Sequence, residues 1–180
     1  MLREIELLSI RLARKEDEAA ISELMALAIE RLQRGYLTSE QIEASKAGMG
    51  LDALLIEDGT YFCVEDGGEL AGCGGWSRRA TLYGGNHSAG RDPRLLDPAT
   101  ERARIRAMYT HPDHVRKGVG SLILDTAEKA ARQEGFRELE MAATMAGKPF
   151  YERCGYVVES EWEDTNGAVP VPLATMTKTL

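Results

Sequence analysis

Two glycines and two basic residues stand together in a segment that is typical of an anion-binding turn, His111-Pro112-Asp113-His114-Val115-Arg116-Lys117-Gly118-Val119-Gly120-Ser121. Residues 104–110 before it alternate as a strand does, and residues 121–133 after it have helical periodicity. The first turn of a helix offers unpaired N–H groups and a partial positive charge that suit a phosphate. Gly118 and Gly120 lack the Cβ atoms that would hold a diphosphate away from the backbone, and Arg116 and Lys117 add charge. The sequence therefore predicts a cradle for an anion at residues 115–121.

Two common phosphate-binding loops do not fit this segment. The GxxxxGK[ST] loop needs a Gly-Lys pair five residues after Gly118, where Ile123 and Leu124 stand. The dinucleotide fingerprint GxGxxG needs its third glycine at Ile123, and no acidic ribose ligand stands at the expected distance. Both loop types are therefore set aside for this chain.

The segment resembles instead the R/Q-x-x-G-x-G/A loop of the GCN5-related N-acetyltransferases, in which it holds the pyrophosphate of acetyl-coenzyme A. The resemblance implies that residues 115–121 bind acetyl-coenzyme A in this chain. Val115 departs from the family, which usually has Gln or Arg at that position. Because the loop acts mainly through backbone N–H groups, we expect binding to survive, with Arg116 and Lys117 supplying the charge.

A second segment, Pro149-Phe150-Tyr151-Glu152-Arg153-Cys154-Gly155-Tyr156, resembles the F-Y-x-x-x-G-[FY] pattern of the same family. In that family the tyrosine often lies near the coenzyme sulfur. A phenol with a pKa near 10 is protonated at neutral pH and can donate its proton to the leaving thiolate. Tyr151 is therefore the predicted general acid. The alternative is a tyrosine that only packs in a short helix. The presence of the glycine loop in the same chain favours the catalytic interpretation.

The strand before the loop supplies the other half of the coenzyme site in this family. Its backbone separates from the next strand, and its free main-chain groups pair with the pantetheine arm and the acetyl carbonyl. The resemblance assigns these positions to Met108, Tyr109 and Thr110. A backbone N–H directed at the thioester oxygen would also stabilise the tetrahedral oxyanion.

No general base is assigned by the sequence. Direct attack needs a neutral amine, and family members often place Glu or His at the positions of Arg104 and Arg106, which cannot accept a proton. A two-residue period places both arginines, with Arg102, on one face of the strand. One hypothesis is that Arg104 or Arg106 binds a substrate carboxylate. Pairing with internal acids, such as Glu101 or those on the first helix, is the alternative.

Six other side chains have alternative interpretations. Metal binding by His111, His114 and Asp113 is not expected, since two histidines and one acid lack further ligands. His87, Trp76 and Tyr83 are candidates for the substrate side of the site. His87 would be the titrating group and the two aromatic residues would line a pocket. A solvated loop histidine and core aromatics are the alternatives that the sequence leaves open.

Composition bounds the class of protein. A chain of 180 residues with 43% hydrophobic and 28% charged residues is expected to form one globular domain, residues 1–180. The net charge of −7 argues against sequence-independent binding of nucleic acid or of anionic membranes. Three cysteines without metal-type spacing fit a reducing compartment. Arg3, Glu4 and Glu6 interrupt the N-terminus, so neither a signal peptide nor a membrane span is expected, and a cytoplasmic location is predicted.

Periodicity and turn residues predict eleven elements and one long loop at residues 78–100, and a loop of that length is usually functional or mobile. The strands are expected at 8–13, 61–65, 69–77, 104–110, 138–143, 156–162 and 171–178, and the helices at 15–32, 38–46, 121–133 and 147–153. This order is that of the acetyltransferase fold, so the resemblance covers nearly the whole chain. It implies an α/β (α+β) acyl-CoA N-acyltransferase domain with a mixed, mostly antiparallel sheet flanked by helices.

The function that the resemblance implies is direct transfer of an acetyl group from acetyl-coenzyme A to a primary amine of a small molecule or peptide, in a ternary complex and without a metal. A catalytically weak acyl-coenzyme A sensor or partner-binding module of the same fold is the alternative. A longer acyl donor is a third reading. Exposed edges of such sheets often pair, which by analogy allows a homodimer. The acceptor is not named by any residue of the sequence.

Overall fold

Seven strands form one sheet in the computed structural model, which describes residues 7–180. The strands are β1 (Ser9–Leu12), β2 (Tyr61–Asp66), β3 (Glu69–Ser77), β4 (Ala103–Thr110), β5 (Glu138–Thr144), β6 (Val157–Asp164) and β7 (Val171–Thr179). Their spatial order is β1-β2-β3-β4-β5-β7-β6, and only the β4–β5 pair is parallel. The mixed, mostly antiparallel sheet is therefore confirmed. The first six residues, on which the prediction about a signal peptide depends, lie outside the described part.

Within residues 7–180, five α-helices flank the sheet: α1 (Glu18–Leu32), α2 (Ser39–Ser45), α3 (Ala53–Glu57), α4 (Val119–Gln133) and α5 (Lys148–Arg153). Four of them lie where periodicity predicts a helix. The five-residue α3 was not predicted. Its N-cap is Asp52, whose carboxylate accepts a hydrogen bond from Leu54 N at 3.1 Å. In the part of the chain that the structure describes, no helix is long and apolar enough to cross a membrane.

The two longest helices cover opposite faces of the sheet. On one face α4 buries an apolar stripe that includes Ile123, Leu124 and Ala127 against β3, β4 and β5. On the other face α1 buries Ile21 and Met25 among the residues of β2 and β3. Each fully buried aliphatic side chain of this kind contributes about 1.5–3 kcal/mol to folding. These two layers fix the sheet as a rigid platform for the segments at its edge.

The sheet opens in its middle because β4 and β5 share only two register pairs, Ala103 with Leu139 and Arg104 with Glu140. Beyond them the strands part. On its other side β4 carries a bulge, where the register with β3 shifts near Ala107, a non-glycine residue with a φ of 48°. The carbonyl of Ala107 accepts a hydrogen bond from the buried Tyr61 hydroxyl at 2.6 Å. The bulge turns β4 and contributes to the gap between β4 and β5.

A buried ionic cluster anchors residues 78–100, which contain no regular helix or strand. The Arg106 guanidinium donates to the carbonyls of Thr81 at 3.2 Å and Gly84 at 2.6 Å, and to the Asp52 carboxylate at 3.1 Å. Arg91, from the loop itself, donates to the other oxygen of Asp52. The side chains of Arg106 and Asp52 are only 3% and 2% exposed. The predicted long loop is therefore folded back onto β4.

The Asp52→Asn variant tests this anchor. Asn keeps an oxygen for the N-terminus of α3 but removes the counter-charge of Arg106. Leaving a buried charge unpaired costs about 3–5 kcal/mol, and we expect a loss of that size in the free energy of unfolding by urea. Glu43→Gln removes half of an exposed pair with Lys46 and is the matched control, with no measurable change expected. Equal stability of the two variants would contradict the proposed anchoring role of Asp52.

Candidate functional site

A groove of about 870 Å³ starts in the gap between β4 and β5 and runs to the N-terminus of α4. The residues of β4 that line it are Met108, Tyr109 and Thr110, all three of which were predicted. The predicted loop contributes Val115, Arg116, Gly118, Val119, Gly120 and Ser121. Lys117 is half-exposed and does not line the groove, since its ammonium lies 3.5 Å from the Asp66 carboxylate.

The loop before α4 has the backbone of an anion cradle. Arg116 and Gly118 both have positive φ angles, 61° and 87°. Such left-handed residues in a turn allow successive N–H groups to converge on one point. Gly118 is also the N-cap residue of α4, and no side chain caps the helix there. The first N–H groups of α4 are therefore left for a ligand in the groove.

The two histidines near the loop are held by protein partners. His114 is buried, with its Nδ1 3.0 Å from the Asp66 carboxylate, so it fixes the loop to the β2–β3 turn. Nδ1 of His111 accepts a hydrogen bond from Asp113 N at 3.1 Å. Within residues 7–180, no three Cys, His, Asp or Glu side chains are grouped as metal ligands.

A second, smaller cavity of about 70 Å³ adjoins the groove. The residues that line both spaces are Met49, Met108, Tyr109, Thr144 and Tyr151. The shared lining marks the point where a ligand in the groove would meet a second ligand in the small cavity. Tyr151 is the residue at this junction for which the sequence predicts a chemical role.

Tyr151 lies in surroundings that keep its phenol protonated. Its side chain is buried, and Tyr151 is one of the residues that line the groove. Burial raises the pKa of Tyr151 above its usual range, so the phenol stays protonated at neutral pH. The ring packs closely on Gly147, where a Cβ would lie 3.1 Å from Cε2 of the tyrosine. The phenol therefore keeps a proton that it can donate to a group in the groove.

Arg102, just before β4, and the two arginines within β4 pair with internal acids. Arg102 lies 2.9 Å from Glu159 and Arg104 lies 2.7 Å from Glu140. Arg106 lines the small cavity, but Asp52 and two backbone carbonyls hold its guanidinium. These contacts favour internal pairing over recognition of a substrate carboxylate. The acids differ from those expected, since Glu101 pairs with Arg94 and none comes from α1.

The other candidates for the substrate side have different positions. Trp76 belongs to the core, with its ring edge-on to Phe136 at 6.0 Å. Tyr83 lines the small cavity, as one of its two interpretations predicts. His87 lies outside the cavity lining, with Nε2 2.9 Å from the Lys46 carbonyl oxygen. Only Tyr83 of the three is therefore in contact with the small cavity.

Sequence reasoning missed several residues of the site, and four of them are instructive. Met49, Gly50 and Thr144 line the small cavity, and Asp52 holds Arg106 in its wall. Asp52 had a usable signal, because an Asp before Ala-Leu-Leu is a good helix N-cap. The others had none, since their proximity arises from segments that are distant in sequence.

Comparisons with known proteins agree with this geometry. A sequence model of the acetyltransferase (GNAT) family matches residues 21–156. The N-acetyltransferase YsnE of Bacillus subtilis, which is described as uncharacterized, is 27% identical over 149 residues, 79% of this chain and 83% of YsnE. A GCN5-related N-acetyltransferase from Rhodopseudomonas palustris has a TM-score of 0.70 and 23% identity, covering 100% of this chain and 99% of that one. PaiA N-acetyltransferase from Thermoplasma acidophilum, in complex with coenzyme A, has a TM-score of 0.66 and 16% identity, covering 97% and 99%.

The cysteines provide a chemical test of the groove. Cys154 lines the groove and is partly exposed, whereas Cys63 and Cys73 are fully buried. Burial raises the pKa of the Cys63 thiol to about 11 and that of Cys73 to about 12. We expect iodoacetamide to label Cys154 first in the folded protein, as measured by mass spectrometry. Labelling should be slower when coenzyme A is present, and urea should expose all three thiols. Equal labelling rates without urea would contradict the described burial.

Proposed function

The chain belongs to the acetyltransferase (GNAT) family, and on that premise we propose that it transfers an acetyl group from acetyl-coenzyme A to a primary amine of a small molecule or peptide. The observation that carries the proposal is the position of Tyr151, whose phenol lines both the groove and the small cavity. A ternary complex needs such a junction, because donor and acceptor must be bound side by side before direct transfer. Homodimer formation and a cytoplasmic location stay predictions from the sequence.

The groove supports the following placement of acetyl-coenzyme A. The pyrophosphate lies on the loop at residues 115–121, where the first N–H groups of α4 and the Arg116 guanidinium favour an anion. The pantetheine arm follows β4 into the gap between β4 and β5. Main-chain groups of Met108, Tyr109 and Thr110 that lack a β5 partner are available to pair with it. The thioester then lies beside Tyr151.

The chemistry follows from this placement. The amine in the small cavity attacks the thioester carbon, and the C–S bond breaks as the tetrahedral intermediate collapses. The leaving thiolate of coenzyme A takes a proton, and Tyr151 is the donor in reach of it. A phenol whose pKa is raised by burial loses its proton readily only when the acceptor beside it becomes anionic. Tyr151 thus acts at the step where the charge on sulfur appears.

Isothermal titration tests the coenzyme half of the proposal. Acetyl-coenzyme A and coenzyme A should both bind with micromolar affinity, and ATP should not bind, because the loop lacks the Gly-Lys pair of nucleotide-binding loops. Absence of binding by either coenzyme would mean that Val115 does not replace the usual Gln or Arg, and the proposal would fall. Binding without turnover of any amine would favour the sensor alternative.

The Tyr151→Phe variant tests the catalytic half. Loss of the general acid should lower kcat by about 10²-fold or more, in an assay of thiol release. Binding of acetyl-coenzyme A and the thermal unfolding midpoint should change little, since phenylalanine keeps the ring that packs on Gly147 and Tyr156.

Tyr156→Phe is the matched control. Tyr156 lies in the same segment but lines neither cavity, and its hydroxyl donates to Glu128 at 2.9 Å. This variant should lose about 1 kcal/mol of stability and keep its kcat. A Tyr151→Phe variant with wild-type kcat would remove Tyr151 from the mechanism.

A further inference from the structure

The small cavity beside Tyr151 is lined by groups that donate protons and do not accept them. Its titratable lining consists of Tyr83, Tyr109, Tyr151 and Arg106, and no carboxylate or imidazole among residues 7–180 lines it. Burial raises the pKa of each of the three phenols above its usual range. The rest of the lining includes the apolar side chains of Met49, Leu82, Ile105, Met108 and Met141. A proton that enters this cavity on an ammonium group has no base in the wall to receive it.

The charges behind the wall also disfavour a cation. Asp52 brings one negative charge, and it lies between the guanidinium groups of Arg106 and Arg91. This cluster, on the Arg106 side of the cavity, therefore has a net charge of one positive unit, and the buried Asp164 carboxylate lies separately, near Tyr83. An ammonium ion would have to shed part of its water to enter a space of about 70 Å³ and approach this positive cluster. A neutral amine meets neither penalty.

The proton balance of the reaction gives the same answer. When a neutral amine attacks, a C–N bond forms, the C–S bond breaks, and the nitrogen has one surplus proton. Tyr151 gives its proton to sulfur and takes up the surplus proton from nitrogen. One phenol therefore accounts for both proton transfers and returns to its starting state. An ammonium acceptor carries a second proton that must leave before attack. The described lining offers no group for that step.

We infer that the acceptor is a weakly basic amine that enters the cavity uncharged, such as the α-amine of a peptide or an aromatic amine. Amines of the lysine side-chain or polyamine kind are then poor acceptors. This inference rests on the proposed function and specifies its substrate class. It also fits the two arginines of β4, Arg104 and Arg106, neither of which can accept a proton: the acceptor arrives already deprotonated.

Three groups near the cavity are the rivals to this inference, because each could act as a hidden base. His87 lies against Gly50 on the outer side of the cavity wall, with Nε2 at the Lys46 carbonyl. Asp164 is buried beyond Gly48, where one oxygen accepts from Asn166 and the other lies beside the Tyr83 hydroxyl without a hydrogen bond. His114, at the far end of the groove, is already paired with Asp66.

Two isomeric acceptors provide the test. Nε-acetyl-lysinamide offers only its α-amine, and Nα-acetyl-lysinamide offers only its side-chain amine, with the same atoms in both. At pH 7.5 about one α-amine in three is neutral, compared with about one side-chain amine in a thousand. We expect kcat/KM to be on the order of 100-fold higher for the α-amine isomer. Aniline, which is neutral throughout, is the third acceptor and separates aromatic from aliphatic weak bases.

The pH profile of kcat/KM, measured by thiol release against enzyme-free blanks, identifies the group that titrates. For the α-amine isomer, kcat/KM should rise with pH and level off near pH 8. For the side-chain isomer it should rise about tenfold per pH unit to about pH 10. We call this rising part of the profile the limb. The profile for aniline should have no such limb. A limb at the same pH for both isomers, or equal kcat/KM at pH 7.5, would overturn the inference, since it would report a base of the enzyme.

The variants His87→Gln and Asp164→Asn complete the test. If either variant removes the limb seen with the α-amine isomer, that residue is the base and the inference fails. If both variants keep a limb that follows the acceptor, the inference stands. Coenzyme binding without thiol release from any of the three acceptors would overturn the proposed function itself, and the inference with it.

Discussion

The site depends on the point where β4 and β5 cease to pair. If β4 and β5 paired along their whole length, the backbone N–H and C=O groups of β4 would be used in hydrogen bonds to β5, and the middle of the sheet would be closed. After the Arg104–Glu140 pair the ladder stops, and the bulge at Ala107 turns β4 toward β3. The last shared register pair is also an ion pair, with Arg104 2.7 Å from Glu140. This ion pair stabilises the fork, the point where β4 and β5 separate. Both cavities begin at this fork.

The elements around the fork each bring one part of the chemistry. The helix α4 presents its uncapped N-terminus because Gly118 takes the left-handed conformation that begins it. The short helix α5 follows β5 directly and carries Tyr151 across the gap to the end of β4. Residues 78–100 form another wall of the small cavity, and Arg106 holds them in place by donating to the carbonyls of Thr81 and Gly84. Three segments that are distant in sequence thus meet at a space that none of them could form alone.

The features that could be predicted from the sequence are those set by residues close together in the chain. Period-two and period-3.6 patterns located the strands and four helices, and glycine spacing located the anion cradle. The five-residue α3 shows no period at that length, and the bulge at Ala107 has no signal because alanine has no preference for a positive φ. The role of Arg106 was least accessible. Its partners Thr81 and Asp52 are 25 and 54 residues away in sequence, and only the fold brings them to it.

The anchoring of residues 78–100 has a consequence for how such a protein can diversify. Arg106 binds this loop through the main-chain oxygens of Thr81 and Gly84, which every amino acid possesses. Between these two positions, Leu82 and Tyr83 face the small cavity. Their side chains can be exchanged during evolution while the oxygens that hold the loop stay in place. The lining of the small cavity is thus free to change in descendants of this chain without loss of the contacts that hold its wall in place.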